Sequence, residues 1–147
     1  MLRSTFLLVA LALPAFAAHS LNVGQSKVTI LGTSNVHDWE MTAEGYYTSG
    51  TLSFSGNDVV AQNFKITFPV SKLESGKSLM DDYAQEALKM EDHPNIVFQL
   101  SNVLNQSGKL QAKGQLTIAG KTRSVTVPVV LKKQSGVHTI TGKAPIK

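Results

Sequence analysis

Between residues 60 and 70 the chain alternates almost without fault: Phe64, Ile66, Phe68 and Val70 take one side, and Lys65, Thr67 and Pro69 take the other. A period of two sends these sets to opposite faces of an extended backbone, so the segment reads as a half-buried strand with Pro69 at its end or on an edge. The same period recurs along the chain. Val28 and Ile30 alternate in residues 27–31, which stop at Gly32; Met41 and Ala43 share a face in residues 40–47; Leu52 and Phe54 alternate in the next segment. Ile96, Phe98 and Leu100 follow, then Leu110, Ala112, Gly114, Leu116 and Ile118, then Val125, Val127, Val129 and Leu131, and last residues 137–141. Ser49-Gly50, Gly56-Asn57-Asp58, Ser107-Gly108, Ala119-Gly120-Lys121 and Ser135-Gly136 punctuate these runs and read as turns.

The alternation breaks once, over residues 78–100. Leu79, Tyr83, Ala87 and Met90 recur at helical spacing, with Met80, Ala84 and Leu88 beside them, which predicts an amphipathic helix presenting the first four. Ser78 and Asp81 form a partial capping box, and Asp81 and Asp82 lie in the first turn, where the helix dipole favours negative charge. Pro94 pushes His93 out of helical geometry and ends the element. A helix of about three turns is not stable alone in water, so this one must dock on the strands, and an open end of the sheet is the natural place.

Short connections between alternating strands make antiparallel neighbours, and a sheet with one apolar face must curl on itself or meet another sheet. The prediction is an all-β fold with one inserted helix: an antiparallel barrel of about eight strands, wide enough for packed side chains or one small ligand. The outward residues are Lys, Gln, Thr and Ser, the reverse of an outer-membrane barrel.

Composition narrows the setting. Arg3, the apolar run from Phe6 to Leu13, and Ala15-Phe16-Ala17 have the anatomy of a cleaved leader over residues 1–17, leaving 18–147 as one domain, periplasmic or secreted. No later run is apolar for long enough to make an integral membrane span. Without Arg3, 13 basic and 10 acidic residues leave a charge of +3, scattered rather than striped, so nucleic acid is not an expected partner. The absence of cysteine removes disulfides, thiol catalysis and thiolate metal sites.

His37-Asp38-Trp39 is the most conspicuous polar and aromatic cluster. Neighbours in an extended segment point to opposite faces, and no nucleophile with a partnered base can be named, so catalysis is not expected. Histidines 37, 93 and 138 with the acids 81, 82 and 92 lack the spacing of a metal site. Phe54, Phe64, Phe68 and Phe98 fill a core, and in a ligand-binding barrel the same side chains line the lumen.

Three stretches together resemble the YceI-like family of bacterial periplasmic proteins: GTSNVHDWE at 32–40, SLMDDYAQEALKMEDHPNIVFQL at 78–100, and GQLTIAGKTRSVTVPVVL at 114–131. The resemblance implies a lipocalin-like barrel that holds a polyisoprenoid or other long-chain lipid, an isoprenoid quinone included, with no cofactor of its own. The side chains expected to contact it are Trp39, Phe54, Phe64, Ile66, Phe68, Leu79, Met80, Tyr83, Leu88, Phe98 and Leu116, with the helix as a lid over the mouth. Family members run on past a segment like Pro145-Ile146-Lys147 into a strand that pairs with the first. Here the strand at 27–31 is therefore expected to lack that neighbour, leaving the barrel incompletely closed and a free edge across which a homodimer can form. The alternative is a structural or interaction protein, a filled barrel that docks a partner strand on its exposed edge.

Overall fold

A computed structural model describes residues 18–19, 26–33 and 38–145. The leader at 1–17 and His37 lie outside the described residues. Among them the chain forms ten strands and one α-helix: β1 (Ala18–His19), β2 (Thr29–Thr33), β3 (Asp38–Ala43), β4 (Tyr47–Ser55), β5 (Asp58–Pro69), β6 (Leu73–Glu74), α1 (Ser78–Ala87), β7 (Asn95–Gln106), β8 (Lys109–Ile118), β9 (Lys121–Gln134) and β10 (Val137–Gly142). A seven-stranded sheet runs in the order β1-β4-β5-β7-β8-β9-β10, and a three-stranded one in the order β2-β3-β6. Every pairing is antiparallel.

Three of the hairpins turn as the sequence predicts. Ser107-Gly108, Ala119-Gly120 and Ser135-Gly136 each hold two successive positive φ values, the two-residue geometry whose twist matches that of the flanking strands. Ser49-Gly50 is not a turn. β4 runs through it unbroken, and Gly50 (φ +82°) sits in a bulge against Asn63 (φ +51°), where a Cβ would collide with the Asn63 carbonyl. Glycine signals a turn and a bulge alike, and only the cross-strand register separates them. The bulge moves the inward set of β5 from Val59 and Ala61 to Phe64 and Ile66, and a second irregularity between Leu100 and Asn102 lets Leu100 and Val103 share one cluster.

Two apolar clusters hold the molecule. The first gathers Leu52, Phe54, Val59, Phe64, Leu100, Val103 and Leu110 on the concave face of the large sheet. In the second, Met41 and Ala43 of β3 meet Val70, Leu73 and Ile96, with Val28, Ile30 and the helix packed around them. Val70, only 1% exposed, anchors the short 3-10 turn Val70–Lys72 that carries the chain from the large sheet to the small one.

The helix stops short of Met90 and docks by its other face. It ends at Ala87; Leu79 and Tyr83 are 61% and 63% exposed, while Met80, Ala84 and Leu88 lie against the second cluster with Met90. The two stripes are one residue apart and similarly apolar, so periodicity alone does not choose between them. Its start also differs from a capping box. Lys77 at the N-cap makes no side-chain cap; instead Asp81 Oδ1 accepts from the Ser75 amide (2.8 Å) and hydroxyl (2.6 Å), and Ser75 Oγ accepts from the Lys77 amide at 3.1 Å. That knot ties down the approach to the helix at Ser75-Gly76.

Candidate functional site

The register of the large sheet sets side chains from distant parts of the sequence in one transverse row. Ile66 of β5 faces Phe98 of β7, Phe98 faces Leu116 of β8, and Leu116 faces Arg123 of β9. Ile66, Phe98 and Leu116 are half-buried, so each keeps apolar surface uncovered on the concave face. The row bridges the clusters, Ile66 and Phe98 packing on the first and Leu116 on the second. Phe98 is held by shape: its ring lies over Gly114, where a Cβ would come within 2.8 Å of ring carbons.

The expected contact residues divide accordingly. Phe54, Phe64, Ile66 and Phe98 belong to the first cluster, and Trp39, Phe68, Met80, Leu88 and Leu116 to the second. Leu79 and Tyr83 stand in solvent on the outer side of α1, away from both. Phe54 and Phe64 are buried and serve as core, whereas the row beside them remains accessible.

Beyond Leu116 the row opens into a recess of about 540 Å3, floored by Leu116, Ile118 and Val125 and rimmed by Lys121 and Arg123. That volume falls within the roughly 300–1,000 Å3 of small-molecule sites. The sequence presents Lys121 and Arg123 as too sparse for a nucleic-acid surface; the register adds that they share a face with an apolar floor. Near Phe68, Tyr46 is buried with its ring centroid 5.5 Å from that of Phe68, and its hydroxyl has no hydrogen-bond partner among the described residues. Nothing in local periodicity marks it.

At the other end the large sheet curls until its two edges touch. His138 of β10 stacks on Phe54 of β4, centroids 4.1 Å apart and planes within 6°, and His19 of β1 lies 5.7 Å from Phe54 and 5.9 Å from His138. Lys133 Nζ donates to the Gly56 carbonyl in the β4–β5 turn. Burial, then the Lys133 charge, then His19 hold the His138 imidazole below its ordinary pKa of 6.5. The small sheet remains open, because β2 has only β3 as a neighbour among the described residues and exposes Leu31. No three His, Asp or Glu side chains among the described residues gather to hold a metal, and no described helix is long and apolar enough to cross a membrane.

A family profile described as "YceI-like domain" matches residues 19–147. Comparison with curated proteins finds no match. Among solved structures, BcnA of Burkholderia cenocepacia superposes with a TM-score of 0.71 at 23% identity, over 84% of this chain and 78% of that one. A YceI protein of Campylobacter jejuni gives 0.56 at 17% identity, over 78% of this chain and 68% of the other. At such identities the likeness establishes a shared fold.

Proposed function

Because this chain belongs to the YceI-like family, we propose that it is a binding or carrier protein for a polyisoprenoid, an isoprenoid quinone or a similar long-chain lipid. The observation that carries the reading is the Ile66-Phe98-Leu116 row. It is a continuous apolar band with uncovered surface, and a hydrocarbon chain asks for area and no hydrogen bonds. At about 25 cal/mol per Å2, a chain of several isoprene units laid along such a band gains several kcal/mol with no catalytic apparatus. Export to the periplasm or beyond belongs to the same proposal. Its support is the leader-like anatomy of residues 1–17 and a family match that covers residues 19–147 and leaves that stretch out.

Native mass spectrometry of the purified protein, before and after organic extraction, tests the proposal. A co-purifying lipid is expected, and Phe98→Asp should reduce its retention at least tenfold by placing a carboxylate in the middle of the band. Wild-type retention in that variant removes the row from the site. A second reading rests on β2, whose one-sided pairing and exposed Leu31 offer an edge to another strand, including that of a second copy. An empty, oligomeric protein in the same experiment favours that reading.

A further inference from the structure

The row has a direction, and its far end is charged. From Ile66 to Arg123 it crosses four adjacent strands, about 14 Å at the usual strand spacing, and passes from fully apolar side chains to a guanidinium. One step along the strands, Ile118 faces Lys121, so the same change from apolar to cationic is repeated in the neighbouring row. The side chains lining the recess include both cations and no carboxylate. The β8–β9 turn that presents Lys121 is itself held in shape. Gly120 (φ +80°) lies under the His93 imidazole, where a Cβ would stand 2.6 Å from the ring.

We infer that the bound amphiphile carries an anionic head group, a carboxylate or a phosphate, held by Lys121 and Arg123 while its tail runs over Leu116 toward Phe98 and Ile66. The inference rests on the lipid-binding reading and adds the chemistry of the head. A neutral head would gain nothing from two cations on the rim, whereas Arg123 offers the planar donor fork that matches a carboxylate or phosphate, and Lys121 adds a point charge beside it. Both side chains are exposed, so they can close on a head group at the rim without being buried with it. Contact with partly hydrated anions limits the gain to about tenfold in affinity.

Matched amphiphiles provide the test: dodecanoate against dodecanol, and farnesyl phosphate against farnesol, each titrated into the delipidated protein. Trp39, the only tryptophan, packs on the same buried cluster as Leu116 and Ile118 and reports occupancy by its emission. Each anion should bind about tenfold more tightly than its alcohol at low salt, with the advantage shrinking as salt screens it. The Lys121→Gln/Arg123→Gln protein should lose that advantage while binding the alcohols within about twofold of wild type. Lys121→Gln alone, expected to lose part of it, serves should the double variant fold poorly. Equal binding of anion and alcohol, or an advantage that survives both substitutions, overturns the inference and leaves lipid binding standing. Binding of neither amphiphile overturns lipid binding and the inference together. Inorganic phosphate binding as tightly as farnesyl phosphate also overturns it, since the tail would then contribute nothing.

Discussion

A Cβ on Gly32 would fall inside the indole of Trp39, its cross-strand partner in the β2–β3 pair. The ring therefore lies flat on the β2 backbone and reaches the second cluster from there. Gly32→Ala should displace the ring and destabilise the fold by about 1–3 kcal/mol, the usual cost of forcing volume into a packed site. Urea unfolding followed by Trp39 emission reads both consequences, with a lower midpoint and an altered native spectrum. An unchanged spectrum and midpoint would mean that the indole does not rest on Gly32. In the sequence, Gly32 reads as the end of a strand, and the second reason for a glycine there depends on which residue of the next strand stands opposite.

That dependence on partners explains what was legible at the level of elements. Each large strand is written in local alternation, and three two-residue hairpins are written in Ser-Gly or Ala-Gly pairs, because strand period and turn chemistry are properties of neighbouring residues. The bulge at Gly50 and Asn63 and the inward face of α1 are decided by what packs against them. The binding row is illegible for the same reason, since Ile66, Phe98, Leu116 and Arg123 are neighbours only through register. The helix gives the sharpest comparison. Met80→Gln, which removes an apolar contact with the second cluster, should cost about 1–3 kcal/mol, whereas Leu79→Gln on the solvent side should stay within about 0.5 kcal/mol. Thermal unfolding of the two variants checks the assignment, and reversal of their order would restore the stripe of Leu79, Tyr83, Ala87 and Met90 as the docked face.

The whole molecule is an antiparallel sheet curled so far that β10 meets β1 and β4 through side chains, with the second sheet and the helix covering the opposite end. The meeting point is a clasp of rings, His138 stacked on Phe54 with His19 beside both and Lys133 anchored across the gap on the Gly56 carbonyl. A proton on His138 would bring a charge into a partly desolvated contact already facing one lysine, which is why its pKa lies below 6.5 in the folded chain. In the unfolded chain the imidazole returns to its ordinary value, so below pH 6.5 the unfolded state binds more protons than the folded one. The part of the stability that depends on a neutral His138 is therefore complete above pH 6.5 and is lost as pH falls from there through the lowered folded pKa. His138→Phe keeps an aromatic stack on Phe54 and removes the titration. Melting temperature measured between about pH 8 and pH 5 should fall with acid in the wild type and fall less steeply in the variant. Parallel curves would show that the acid sensitivity arises elsewhere than at His138.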